Sequence, residues 1–336
     1  MGRWGRVLAG VAIGALALVA GPRAGAQART WTVIAGGVTQ DGSVWSNFFH
    51  PRVVDITVGD VVEWRFAGFH NVAFAGGGQL PPLIVAEGRA AYMNPQVAFP
   101  VGSEEYDGQG YRNSGVPPED PRIWASLRYR YRLRFTKPGT YVYTCIVHGP
   151  AMSGTVRVHP RGTHLSEDPG AALQRGRREQ QATIAAGKRA LARLGPTLSG
   201  KTVRISLLGD AQRGYSLMRY TREPLVVRRG TTVVWEMRDP FEIHTVTFVG
   251  SEKVPPFVVP QPQASGPPRL LLNPKVAAPT SHKEYAGSDY ANSGILAPVG
   301  APGPHTYSLR FTRSGTYTYW CPIHAAVGMK GVVVVR

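Results

Sequence analysis

Two short segments of this chain each offer a thiol, an imidazole and a thioether. The first is Cys145-Ile146-Val147-His148-Gly149-Pro150-Ala151-Met152, a Cys-x2-His-x3-Met pattern. The second is Cys321-Pro322-Ile323-His324-Ala325-Ala326-Val327-Gly328-Met329, a Cys-x2-His-x4-Met pattern. A second imidazole stands upstream in each case: His70 heads the run Asn71–Phe74, and His244 heads Thr245–Phe248. Two His and one Cys in a plane, with a weak axial Met, form the ligand set of an electron-transfer copper. Soft sulfur favours Cu(I) and imidazole suits Cu(II), so such a set holds both states with little rearrangement. A structural zinc site calls for four strong ligands, and thioether is a poor one. Taken singly, each residue type is unremarkable: a lone Cys is usually a small buried hydrophobe. The same combination occurring twice is not explained that way. The predicted metal ligands are therefore His70, Cys145, His148 and Met152 in one set, and His244, Cys321, His324 and Met329 in the other. His50, His159, His164, His282 and His305 lack such company and read as surface residues. Each Cys has metal-ligand neighbours in its own segment, which argues against a Cys145–Cys321 disulfide. No residue stands out as catalytic.

These segments must be held by strands, and the strands repeat. Leu133-Arg134-Phe135-Thr136-Lys137-Pro138-Gly139-Thr140-Tyr141-Val142-Tyr143-Thr144-Cys145 matches Leu309-Arg310-Phe311-Thr312-Arg313-Ser314-Gly315-Thr316-Tyr317-Thr318-Tyr319-Trp320-Cys321 at an offset of 176. Pro81-Pro82-Leu83 matches Pro255-Pro256-Phe257, and Asn113-Ser114-Gly115 matches Asn292-Ser293-Gly294. The offset drifts between 171 and 179, so small insertions separate two copies of one domain. Val53–Phe66 reads as strand–turn–strand about Gly59-Asp60, and Val226–Met237 does the same about Gly230. The Tyr-x-Tyr-x-Cys alternation has the two-residue period of a half-buried strand. Short strands with many Gly and Pro turns suggest a Greek-key sandwich or barrel. Between the copies, Asp168 caps a helix predicted over 169–194. Leu173, Ile184, Leu191 and Leu194 lie on one face, Gly176 and Gly187 weaken it, and Gly195-Pro196 stops it. Its basic residues, Arg175, Arg177, Arg178, Lys188, Arg189 and Arg193, read as a solvated face.

The chain has 336 residues, room for about two domains at roughly 150 residues each. Residues 1–26 read as a secretory signal peptide: Arg3 and Arg6, an apolar run from Val7 to Ala20, then Ala24-Gly25-Ala26. The expected organisation is 1–26 signal peptide, 29–160 first domain, 161–198 helical linker and 199–336 second domain. The formal charge is +17, and loss of Arg3, Arg6 and Arg23 would leave +14. That charge suits acidic partners or anionic membrane surfaces. The basic residues are scattered, and with export this argues against nucleic acid. Two cysteines are too few for the disulfide framework of a secreted domain.

Both copies resemble the plastocyanin/azurin family of cupredoxins. The carriers are Gly315-Thr316-Tyr317-Thr318-Tyr319-Trp320-Cys321-Pro322-Ile323-His324 with Gly328-Met329-Lys330-Gly331, and Gly139–Cys145 with His148, Met152 and Gly154. The resemblance implies an all-β protein of two tandem Greek-key cupredoxin β-sandwiches joined by a helical linker. It also implies one type 1 blue copper per domain, ligated by the eight residues named, and electron carriage between redox partners in the periplasm or at the cell surface. Two departures stand out. The first loop is one residue shorter than the second. Asn71 follows the first strand His, where the family's Asn helps pin the ligand loop, whereas Thr245 in the second half predicts a looser or retuned site. Copper storage, delivery or sensing would use the same ligands. A multicopper oxidase or nitrite reductase would need extra histidines, one of them directly before the Cys. Those positions are Thr144 and Trp320, and the chain has no His-x-His pair, so no enzyme activity is expected.

Overall fold

The computed structural model describes Met1 and residues 27–118 and 129–336. The segment read as a signal peptide thus lies, apart from Met1, outside the described residues. No helix among the described residues is long and apolar enough to cross a membrane.

Each half is a sandwich of two sheets. In the first half, Thr30–Val38, Val44–His50, Val61–Phe66 and Arg130–Phe135 build one sheet. Val53–Thr57, Ala73–Phe74, Gly139–Thr144 and Ser153–His159 build the other. The turn at Gly59-Asp60 therefore carries the chain from one sheet to the other. Burial follows the alternation read in the sequence: Leu133, Phe135, Tyr143 and Cys145 all point inward. Trp64 meets Tyr143 edge-on at 5.2 Å in the first core, and Trp235 meets Tyr319 at 5.2 Å in the second. The duplication thus reaches into ring geometry, where such pairs add about 0.5–1.5 kcal/mol beyond area burial.

The two sandwiches are not separate bodies on a tether. Val44–His50 pairs antiparallel with Tyr215–Leu217, Ser46 opposite Tyr215 and Val44 opposite Leu217. An eleven-stranded sheet consequently runs through both halves. The Pro-Pro inserts form a second junction. Ile84–Glu87 and Ala90–Met93 make a hairpin in the first half, and Val258–Gln261 and Arg269–Leu272 make one in the second. They join into one four-stranded sheet, with Leu271 opposite Tyr92. Arg269 seals the seam, pairing with Glu87 and lying over the Tyr92 ring at 3.8 Å.

The helix between the halves runs Pro169–Leu191, and Asp168 caps it by accepting from Ala171 N at 2.9 Å. Three expectations about it need correction. Its closest contacts come from small residues, Ala172, Gly176, Thr183, Ala186 and Gly187, while Leu173, Ile184 and Leu191 are only partly buried. Gly176 and Gly187 are docking points more than weak points. A methyl carbon would lie 2.6 Å from His50 O at the first and 2.3 Å from Val44 Cγ1 at the second. Arg175 is also not simply solvated: it pairs with Glu167 and Glu179 and donates to Val53 O at 3.1 Å. His50 corrects a fourth expectation. It lies buried beneath this helix with Nε2 2.7 Å from Ser46 Oγ, and burial together with the Arg52 charge pushes its pKa down to about 4. His164 is exposed, and His159, His282 and His305 are partly so.

Candidate metal centre

In each half the ligand-bearing loop leaves the Tyr-x-Tyr strand at its end and returns at once into the last strand. The Cys145 amide donates to Met152 O at 2.9 Å, and the Cys321 amide donates to Met329 O at 3.1 Å. Each loop therefore closes its Met back onto its Cys, despite the one-residue difference in length. The short loop turns through Gly149 (φ 71°). The longer one coils as a 3-10 turn over Pro322–Val327 and exits through Gly328 (φ 75°). Positive φ at these two positions favours glycine. Both Met side chains are fully buried.

The structure brings together His70, Cys145 and His148 in one cluster and His244, Cys321 and His324 in another, all six buried. In the first, His70 Nδ1 and His148 Nδ1 face each other at 3.0 Å, and His148 Nδ1 lies 3.3 Å from Cys145 Sγ. In the second, Cys321 Sγ lies 3.5 Å from His324 Nδ1 and 3.9 Å from His244 Nδ1. Backbone amides aim at both sulfurs: Asn71 N at 3.5 Å and Thr245 N at 3.4 Å. Two nitrogens and a sulfur converge in each cluster. That donor set fits copper.

The imidazoles are oriented from outside. His148 Nε2 lies 3.0 Å from Glu242 Oε1, and His324 Nε2 lies 3.4 Å from Glu242 Oε2. A ring that donates its Nε2–H to a carboxylate presents Nδ1 to the metal position. Burial pushes the His324 pKa down, but the Cys321 thiolate and Glu242 outweigh it and raise it to about 10. Burial likewise pushes His148 down, but Glu242 and Cys145 outweigh it and hold its pKa well above the ordinary value. Burial raises the Cys321 thiol while the charges of His324 and His244 hold it well below its usual range. These directions favour charge on the Cys321 sulfur, and the ionised sulfur is the form a metal requires.

The upstream histidines differ. His70 fits a slot of glycine backbone, since a methyl carbon at Gly36 or Gly68 would lie 2.0 or 2.4 Å from its Nε2. Burial and the His148 charge hold its pKa well below the ordinary value. His244 instead has Asp239 Oδ2 3.8 Å from its Nε2, and this carboxylate, with Cys321, raises its pKa against the effect of burial.

The Asn-Ser-Gly segments and Asn71 belong to one support. Asn113 Nδ2 caps the short helix Pro95–Ala98, reaching Gln96 O, Val97 O and Phe99 O at 2.9 Å each. Its Oδ1 accepts from Asn71 Nδ2 at 2.8 Å, and Asn71 Oδ1 accepts from Ile146 N at 2.7 Å. Ser114 Oγ accepts from Val72 N at 2.9 Å. In the second half Asn292 caps helix Pro274–Ala277 in the same way, and Thr247, bonded to Thr245, takes over the side-chain link. The expectation that Thr245 loosens this site is corrected by Pro322. A proline follows Cys321, so there is no N–H for an Asn to hold, and the ring itself stiffens the loop.

Glu242 is the residue that sequence reasoning missed. It stands two positions before His244, where the first half has Gly68. An acid opposite a glycine in otherwise matching segments was the available signal. A cavity of about 230 Å³ opens over it, walled by Trp45, Phe69, Met93, Phe257, Leu272 and Ile323. The inserts thus form one wall of the space between the two metal ends.

A β-sandwich with a buried Cys, His, His cluster fed by one strand end and one upstream strand defines a cupredoxin. Residues 209–336 match the family model described as "Copper binding proteins, plastocyanin/azurin family". The first half repeats that domain in strand order and donor cluster. Solved structures similar to the chain include two amicyanin variants. One, in its Cu(I) form, is 20% identical over 41% of this chain and 85% of its own, with a TM-score of 0.25. The other, in its reduced state, is 22% identical over 43% of this chain and 93% of its own, with a TM-score of 0.24. No curated protein matches the chain.

Proposed function

We propose that this protein is an exported carrier of single electrons that holds one type 1 copper in each domain, two per chain. The observation that carries this reading is the duplicated buried cluster of two imidazoles and one cysteine sulfur. His70, Cys145 and His148 would hold one copper with Met152 as axial ligand. His244, Cys321 and His324 would hold the other with Met329. Copper held by this set supplies a one-electron Cu(I)/Cu(II) couple.

The chain's own part is to keep the donors fixed and dry. The Asn71 and Thr245 amides stabilise the sulfurs, Glu242 orients two of the imidazoles, and the aromatic cores immobilise the strands. Asp239, present only at the second site, adds negative charge there, so the two centres carry different potentials. Storage or delivery fits less well, because the six donor residues are at most 6% exposed and offer little access for metal transfer. An oxidase or nitrite reductase fits less well because Thr144 and Trp320 stand where such enzymes carry a histidine. Segment 1–26 supports export, and the basic surface suits redox partners with acidic docking faces or peripheral contact with anionic membrane.

Copper content with absorption and EPR spectra tests the reading. Two coppers per chain and an intense blue band are expected. Cys145→Ser and Cys321→Ser should each remove about half of the band if the sites contribute separately. A colourless chain, or one that turns over nitrite or a phenol, overturns it.

A further inference from the structure

Among the described residues, Glu242 is placed as no other acid is. It is 5% exposed, and its two carboxylate oxygens go to two different metal clusters in two different halves. Oε1 faces His148 Nε2 at 3.0 Å, and Oε2 faces His324 Nε2 at 3.4 Å. Both contacts fall on the ring nitrogen that does not face the cluster sulfur. We infer that Glu242 is an intersite relay: one carboxylate that ties a ligand imidazole of each centre into a hydrogen-bonded path joining them, so that electrons pass between the centres within the chain. The inference rests on the two-copper carrier reading above.

Three features support it. The first is that the side chain is held in place from both halves. Asn47, on strand Val44–His50, donates to Glu242 Oε1 at 3.3 Å and to Ser216 Oγ at 2.9 Å. Ser216 donates to Asp239 Oδ1, which also accepts from Phe241 N and Glu242 N. The strand pairing that fuses the two sheets is therefore continuous with the loop that aims Glu242. The second is the packing around it. Phe69, one residue before His70, packs against the second core, and Phe241 packs against the first. Trp45 of the first half also meets the His324 ring edge-on at 5.8 Å. The third is the apolar cavity over the bridge, whose walls keep the dielectric low and strengthen hydrogen bonds to charge. In the first half the matching position is Gly68, where any side chain would strike His70. A single bridge is therefore built, from one half only.

The full chain with Glu242→Gln and Glu242→Leu tests this. Gln keeps the shape but has one acceptor oxygen, so it can serve one ring. Leu suits the apolar walls and serves neither. In metal-free protein with labelled histidines, the Nε2–H signals of His148 and His324 should both lie in the hydrogen-bonded range, and Leu should move both. Movement of only one ring, or of neither, overturns the bridge. In chains saturated with copper, one-electron pulse reduction followed by re-equilibration reads the intersite rate. Leu should slow it by at least about tenfold, the lower end of what removing an outer partner of a ligand histidine costs in activity or metal affinity, the rate being read only in chains whose copper content is measured as two. An unchanged rate overturns the relay. If the wild type takes up no type 1 copper, the carrier reading fails instead, and the ring signals alone decide whether Glu242 bridges the two imidazoles.

Discussion

Replacing Asn71 by Ala removes one amide that serves two elements at once. Its Oδ1 holds Ile146 N at 2.7 Å and its Nδ2 holds Asn113 Oδ1 at 2.8 Å, and the residue is completely buried. A buried group left without its partner costs about 1–3 kcal/mol. Two such groups, with the Ile146 amide only partly buried, place the expected loss for the first half at about 2–4 kcal/mol. The second half supplies the control. Thr245→Ala removes a hydroxyl contact to Thr247 but strands no loop amide, because Pro322 has none, so its loss should be about 1 kcal/mol. Denaturant unfolding of the metal-free chain, followed by hydrogen exchange in strands Gly139–Thr144 and Gly315–Trp320, reads each half by itself. Moving the second half's arrangement into the first, as Asn71→Thr with Ala73→Thr and Ile146→Pro, should recover most of the loss. Ile146→Pro alone should be destabilising. Equal losses for Asn71→Ala and Thr245→Ala, or a triple variant no better than the sum of its parts, would refute the reasoning.

Two further outcomes follow from residues that only the first half has. Gly36→Ala places a methyl carbon 2.0 Å from His70 Nε2 at a φ of +80°, so the imidazole must leave its slot. Copper content should fall from about two per chain to about one, with the second site's signal intact. Asp60 accepts from Thr57 N, Thr57 Oγ1, Arg29 N and Trp31 Nε1. Burial raises its pKa, but these bonds outweigh burial and hold it below 3.8. A lowered folded value means that the stability is present above that range and is lost as pH falls through it. Asp60→Asn should therefore weaken the first half at neutral pH and flatten its acid limb. The second half, with Thr231 at the matching turn, should be unchanged. A wild-type acid limb that persists in Asp60→Asn would count against this account.

The clusters were legible because their chemistry is local. Cys-x2-His places two donors on one loop whatever surrounds it, and the repeat singled out His70 and His244. The sandwich was legible for a similar reason, since Leu133, Phe135 and Tyr143 alternate along their strands. What lay beyond the sequence was how the halves meet. Periodicity tells which face of Val44–His50 is buried but does not name Tyr215–Leu217 as its edge partner. The Pro-Pro inserts show strand composition without showing that they pair with each other. His50 looked like a surface residue because nothing in its neighbourhood announces a helix packed above it from more than a hundred residues away. Glu242 was hidden by its type: an isolated acid is ordinarily solvated, and only the meeting of two distant loops gives it two imidazoles. Thr245 misled because its complement, Pro322, acts by lacking an N–H.

Residues 29–160 leave the ribosome well before Tyr215 does. Until Tyr215–Leu217 arrives, strand Val44–His50, buried along all seven residues in the finished molecule, keeps an edge of unpaired amides and carbonyls. Such an edge is a template for wrong partners, including the same strand of another nascent chain. Helix Pro169–Leu191, made in the interval, is the first cover to arrive, and its Gly176 and Gly187 let it settle directly on that strand. Synthesis order and topology thus oppose each other here. The first half becomes a finished domain only after the second has begun, and the smallest stretch able to reach its native burial ends beyond residue 217.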